Sequence, residues 1–208
     1  MHTPLPRLSF AACPKDICRV HRLKLLTHSI HTWGVIAIVT WGMSVLAHPV
    51  LGAEPDSKPK LVVLHIQLTG DQGGPEFAAE HAVRLKKESE ILCRQLADSG
   101  LYQVVDTTPA QELITRLQSQ QAYWHDCNGC DLEVGKQLGA DQVLVTWVDR
   151  VSGLILSLTY EFHGVANGQL LGRKSYDFRG DNDTAWTHAI TYMVRDLKNA
   201  KTTENGAK

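Results

Sequence analysis

The sequence predicts a single α/β domain (α+β in its antiparallel part), a mixed sheet of about five strands with helices packed on it. Three observations predict it. A short apolar run, Leu61 to Ile66, is followed by a long helical stripe and a second short strand at residues 102–105, the order of a parallel crossover. Three strand-like segments then run in series from Val143 to Phe178, broken only by the turn dipeptides Ser152-Gly153 and Asn167-Gly168, the pattern of a β-meander. Finally, an amphipathic helix follows the meander and gives the sheet an apolar cover.

The first 53 residues read as an export signal. Arg19, Arg22 and Lys24 precede an uncharged apolar run from Trp33 to Leu46, and no acid lies between Asp16 and Glu54. That run is shorter than the roughly 20 residues that span a bilayer. Cleavage after Ala47 or Ala53 fits, and Ala53 is preferred because the composition turns polar at Glu54. The expected organisation is a signal peptide at 1–53, a disordered lead-in at 54–60, the domain at 61–198 and a disordered tail at 199–208.

Within the domain each element has a local signature. Thr69 to Pro75 is rich in glycine and reads as a flexible connection, with Pro75 suited to the first position of a helix. From Glu76 to Asp98 the residues Ala78, Ala82, Leu85, Leu92 and Leu96 form one stripe, with Ser89 on the same face, and Ser99-Gly100 stops the helix. Tyr102 to Val105 is the second strand. Thr108 with Pro109 and Gln111 reads as a capping box for a helix carrying Leu113, Ile114 and Leu117. A short helix spans Asp131 to Leu138 and ends at Gly139. The meander follows as Val143 to Val151, Leu154 to Val165 and Leu170 to Phe178. Asp183 is the expected cap of the last helix, whose stripe is Trp186, Ile190, Met193, Val194 and Leu197.

Removing the leader leaves 155 of the 208 residues, with 16 basic and 21 acidic side chains. The net charge of −5 speaks against a nucleic-acid partner, which needs a basic face. Cys13 and Cys18 leave with the leader, and Cys93, Cys127 and Cys130 remain. Three cysteines in an oxidising compartment imply one bridge and one thiol.

Lys60 to Arg195 resembles a family of exported bacterial proteins classed as a domain of unknown function. The resemblance rests on Tyr102-Gln103-Val104-Val105-Asp106, Cys127-Asn128-Gly129-Cys130-Asp131, Leu138-Gly139-Ala140-Asp141, and Phe178-Arg179-Gly180-Asp181-Asn182-Asp183 with Trp186. The segment Trp147 to Leu156 is similar as well. Some relatives lie near genes for quinoprotein alcohol oxidation, which implies a periplasmic accessory role. The element order is similar to that of the amino-terminal domain of TolB and the periplasmic domain of the curli secretion channel, which implies a binding module.

The chemistry-bearing residues converge on Cys127-Asn128-Gly129-Cys130. The reading preferred for an exported chain is a Cys127–Cys130 disulfide. Its loop of four residues gives a bridge worth about 2 kcal/mol, enough to fix a turn rather than to staple the fold. A thiol-disulfide redox protein using the pair is the alternative, weakened by the flanking carboxylates Asp126 and Asp131, which disfavour a thiolate. A metal carrier through His125, Cys127 and Cys130 is another. Cys93 reads as a buried thiol. Trp124, His125, Asn128 and Asp131 form the expected binding surface, with Trp124 exposed, whereas Trp147 and Trp186 read as core aromatics. The glycine-rich loop lacks the lysine of a phosphate loop. None of His65, His81, His125, His163 and His188 sits in a hydrolase motif, so no catalytic residue and no cofactor is assigned. The expected partner is another periplasmic or envelope protein, with no membrane span after cleavage.

Overall fold

A computed structural model describes Cys13 and residues 58–206. The rest of the expected signal peptide, and residues 54–57 of the lead-in, lie outside the described residues. The elements are β1 (Lys60–Val63), β2 (Gln67–Gly70), α1 (Ala78–Ser99), β3 (Gln103–Val104), α2 (Gln111–Gln120), α3 (Cys130–Gln137), β4 (Gln142–Arg150), β5 (Ile155–Gly164), β6 (Leu170–Arg179) and α4 (Asp183–Gly206). They form one mixed six-stranded sheet in the order β3-β1-β4-β5-β6, with β2 also beside β4. β1, β2 and β3 run parallel to their partners, and β4, β5 and β6 are the antiparallel meander.

The expected first strand is broken in two. β1 pairs with the start of β4, Leu61 against Gln142, and β2 pairs with its end, Gln67 against Trp147. Between them Leu64 to Ile66 leaves the ladder. Hydrogen bonding explains how this break is tolerated in the core. Leu64 N–H donates to the Leu144 carbonyl at 3.0 Å, and Ile66 N–H donates to Ser89 Oγ of α1 at 2.9 Å. The Ser89 hydroxyl itself donates to the Leu85 carbonyl at 2.6 Å. Ser89 interrupts the apolar stripe because an orphaned strand donor needs an acceptor there. Ser89→Ala is therefore expected to destabilise the fold by about 1–3 kcal/mol, the cost of a buried unpaired donor. Urea unfolding checks this, and a change below about 0.5 kcal/mol would contradict it.

Helices cover both faces of the sheet. On one face α1 and α4 enclose Leu92, Leu96, Trp186, Ile190 and Met193 against Leu61, Val63, Leu144, Leu156 and Leu158. On the other, α2 and α3 place Leu113, Ile114, Leu117 and Val134 against Val62, Leu64, Val143, Val145 and Trp147. The alternation along β4 thus feeds two cores. Trp147 and Trp186 are core aromatics, 7 % and 1 % exposed.

Several local readings need correction. Pro75 opens a 3-10 turn, Pro75–Phe77, ahead of α1. Thr108 is not a cap: Asp106 Oδ1 accepts from its N–H at 2.9 Å and its hydroxyl at 2.6 Å, and α2 follows a 3-10 turn. α4 is capped by Asn182, whose Oδ1 accepts from Ala185 N–H at 3.0 Å, because Asp183 is engaged with Arg84 and Lys87. The Asn167-Gly168 hairpin is present but wider than a two-residue turn. Gly168 N–H reaches the Gly164 carbonyl at 2.8 Å, and Gly168 takes φ +67°. The expected disordered tail is helical as far as Gly206.

Cys93 is not a free thiol in this structure. It is bonded to Cys13, 80 residues earlier, with the Cα atoms 5.8 Å apart. Cys13 is fully buried in the α1 and α4 core, and its N–H donates to Thr107 Oγ1 at 3.4 Å. The thiol reading of Cys93 took Cys13 to be lost with the leader. Cleavage after Ala53 would remove Cys13, and this bridge with it.

Candidate functional site

The segment between α2 and α3 is clasped by one side chain of the sheet. Gln67 of β2, buried, donates from Nε2 to the Ala122 carbonyl at 3.0 Å and accepts at Oε1 from Trp124 N–H at 2.7 Å. This two-point grip pulls Trp124 inward. Its ring is 4 % exposed and meets His65 edge-on, so the expectation of an exposed Trp124 is corrected. A 3-10 turn, Trp124–Asp126, then brings the chain to Cys127, whose N–H donates to the Trp124 carbonyl at 3.1 Å. Gly129 takes φ +94°, a conformation that only glycine adopts cheaply, and lets the chain turn into α3 at Cys130. Cys127 and Cys130 are bridged across this turn, with Cα atoms 5.7 Å apart.

The four surface residues read from sequence divide. Asn128 is exposed at the tip and His125 is partly exposed, while Trp124 and Asp131 are buried. Asp131 faces the sheet instead of solvent, because His163 Nδ1 lies 2.6 Å from its Oδ2. His163 Nε2 lies 3.5 Å from Glu161, and Glu161 pairs with Arg173 Nη1 at 3.0 Å. Arg173 sits over the Trp147 ring, 5.6 Å from its centroid. His125 stacks on the same ring at 4.4 Å and 16°, and Tyr123 stacks on His125 at 5.5 Å. The result is a continuous band across β4, β5 and β6, from Tyr123 through His125, Trp147, Arg173 and Glu161 to His163 and Asp131.

Sequence reading missed Tyr123, Glu161, His163 and Arg173 as parts of this band. The signal lay in strand register. Val145 faces Glu161, Val143 faces His163, and Glu161 faces Arg173, so alternation puts them on the face that bears Trp147. His125 turns to Trp147 and the two sulfurs are bonded to each other, so His125, Cys127 and Cys130 do not converge as metal ligands. Among the described residues no group of three His, Cys, Asp or Glu side chains is placed to hold a metal ion. Two buried nitrogens of this segment, Trp124 Nε1 and His125 Nδ1, have no hydrogen-bond partner among the described residues.

A second cluster lies where the loop after β2, the end of β4 and the β6–α4 connection meet. Asp181 Oδ1 accepts from Arg84 Nη1 at 3.0 Å and from Trp186 Nε1 at 3.1 Å, and its Oδ2 accepts from Arg150 Nε at 2.7 Å. His81 Nε2 is 3.5 Å from the same carboxylate. Burial alone would raise the Asp181 pKa, but the hydrogen bonds from Arg150 and Trp186 and the charges of the two arginines hold it below the usual carboxylate range. Arg84 also pairs with Asp183 and Glu80. Arg150 Nη1 donates to the Asp71 carbonyl at 2.6 Å, while Asp71 N–H donates to the Arg150 carbonyl at 2.8 Å. The glycine-rich loop is therefore tied to β4 and is not a flexible connection. The buried charges of this cluster are paired within it, and they join these elements to one another.

The third feature is an open cleft of about 650 Å³ between β6 and α4, bordered by Tyr176, Phe178, Asn182, His188 and Tyr192. None of Trp124, His125, Asn128 and Asp131 lines it.

The family model DUF3280, described as "Protein of unknown function (DUF2380)", matches residues 59–197. No curated protein matches the chain. Among solved structures, the LpoB C-terminal domain from Salmonella enterica shares 14% identity, with a TM-score of 0.37 over 58% of this chain and 82% of that one. The PelC dodecamer from Paraburkholderia phytofirmans shares 16% identity, with a TM-score of 0.42 over 68% of this chain and 88% of that one. TolB from Acinetobacter baumannii shares 14% identity, with a TM-score of 0.37 over 67% of this chain and 29% of that one.

Proposed function

Since the chain belongs to DUF3280, a family of unknown function, we propose a role from its geometry: an exported, non-catalytic accessory protein that binds another envelope or periplasmic protein. The partner is a component of a periplasmic oxidation system, and the band from Tyr123 to Arg173 is the contact surface. The observation that carries this reading is the stack of Tyr123, His125 and Arg173 on Trp147 beside the bridged turn Cys127–Cys130. Tyr and Arg in a rigid patch, here laid over the buried Trp147 ring, are residue types that dominate binding energy at protein interfaces. The bridge and the Gln67 clasp hold the patch in place before binding, which lowers the ordering cost of association. Export rests on the basic residues ahead of Trp33–Leu46. Among the described residues no helix is long and apolar enough to cross a membrane.

The test is a photo-crosslinker at exposed Asn128 in the native cell envelope, with the crosslinked protein identified by mass spectrometry. A single partner is expected, and Cys127→Ser with Cys130→Ser should weaken the crosslink at least tenfold. The same double change should lower stability by only about 2 kcal/mol, the value of a four-residue loop closure. Turnover of a dithiol substrate, lost in Cys127→Ser, would overturn the non-catalytic reading. A crosslink indifferent to Tyr123→Ala and His125→Ala would overturn the contact surface.

A further inference from the structure

We propose that β6 is a self-association edge, on which a second copy of this chain adds its own β6 antiparallel to make a continuous sheet across a two-fold axis. β6 pairs with β5 on one side and has no strand on the other among the described residues. It is ten residues long and carries no proline, whereas edge strands that must stay unpaired are commonly short or blocked.

The register follows from the backbone. Gly180 N–H donates to the Leu154 carbonyl, and the β5–β6 partners are Phe178 with Leu156, Tyr176 with Leu158 and Lys174 with Tyr160. Even-numbered residues therefore turn their N–H and C=O to β5. The odd-numbered residues Arg173, Ser175, Asp177 and Arg179 turn theirs outward. A two-fold antiparallel pairing must set odd residues opposite odd residues, and the registers that keep the middle of the strand paired are centred on residues 173 to 177. Centring on Arg173, Lys174 or Asp177 puts that charge against itself. Centring on Tyr176 puts Arg173 against Arg179. Centring on Ser175 puts Arg173 against the second copy's Asp177, twice by symmetry.

That register is complementary elsewhere as well. Lys174 meets Tyr176 across the axis, and Phe178 meets Gly172, which has open space above it. Asp177 has no ion-pair partner among the described residues, whereas Arg173 holds Glu161 on its β5 side and keeps donors to spare. The irregularity at Phe162/His163 distorts only the first residues of β6, before the paired stretch begins. The second copy would also close the open side of the cleft between β6 and α4, where Tyr192 is 48 % exposed.

Analytical ultracentrifugation of the purified protein over a concentration series at low salt tests the proposal. A dimer is expected. Arg173→Asp and Asp177→Arg each create two like-charge pairs in place of two attractive ones, and each should weaken dimerisation about tenfold or more. Mixed in equal amounts, the two variants should associate with each other, because the mixed pair restores opposite charges at both positions. Ser175→Pro, which removes an outward N–H, should give a folded monomer. A native protein that stays monomeric throughout the series would overturn the proposal, as would single variants that remain dimeric or a mixture that does not associate. Asp177→Arg and Ser175→Pro leave the Tyr123–Arg173 surface intact, so failure here is distinguishable from failure of the binding role. A melting curve on each variant separates lost association from lost folding.

Discussion

Asp181→Ala is expected to lower stability by about 3–5 kcal/mol, the usual cost of removing one partner from a buried charge cluster. Two guanidinium groups and an indole N–H converge on this carboxylate, and its side chain is only 10 % exposed. Arg84 would keep Asp183 and Glu80, but the counter-charge left to Arg150 among the described residues would be the Asp71 carboxylate, 3.8 Å away and largely in solvent. Trp186, central in the α1 and α4 core, would lose the acceptor for its Nε1. Asp181→Asn separates charge from shape, since an amide oxygen can still accept from Trp186 but offers no counter-charge. It should recover only a small part of the loss. Urea midpoints of the three proteins decide the matter; a cost below about 1 kcal/mol for Asp181→Ala would show that the arginines find other partners.

Acid should destabilise the protein through His65. Burial lowers the pKa of this imidazole from 6.5 to about 4 in the folded chain. Its Nε2 lies 2.9 Å from Gln118 Nε2, and an amide nitrogen only donates, so the ring nitrogen there must be the acceptor and carry no proton. The unfolded chain therefore takes up a proton between pH 6.5 and 4 that the folded chain refuses. Stability is fully present above pH 6.5 and declines as the pH falls towards 4, by up to about 3 kcal/mol from this group. Asp181, Asp183 and Asp196, whose pKa values are held low by their partners, add their losses at lower pH. His65→Gln should flatten the decline between pH 6.5 and 4 in urea midpoints. An unchanged slope would place the acid sensitivity elsewhere.

Periodicity made most of the fold legible. The stripe in α1, the three strands of the meander and the apolar face of α4 each show in spacing alone, because each buries one face. What escaped was set by partners distant in sequence. The break between β1 and β2 depends on Ser89, and a lone serine in an apolar stripe looks like a small filler until the strand donor opposite is known. Asp183 looked like a cap because caps are local, yet Arg84, 99 residues earlier, claims it. At the candidate site the cysteine turn was visible from its spacing and Gly129. The inward pull on Trp124 was not, since it depends on Gln67, which lies between the expected strand and the glycine-rich loop and belongs to neither by pattern. Asp131 shows the same limit: next to Cys130 it looks like a solvent-facing acid, and only the β4–β5 register brings His163 beneath it.

The position of α4 in the core has a consequence for the order of events in folding. The sheet is complete by Arg179, but its α1 face needs Trp186, Ile190 and Met193, which follow the last strand of the sheet. A nascent chain that has displayed every strand still exposes Leu92, Leu96, Leu156 and Leu158 to water. Its central strand, β4, also needs partners on both sides, two of them more than seventy residues earlier and one that follows it directly. A chain cut short after β6 would therefore carry every strand and still lack the cover for one face of its sheet, and is expected to stay open and prone to aggregation.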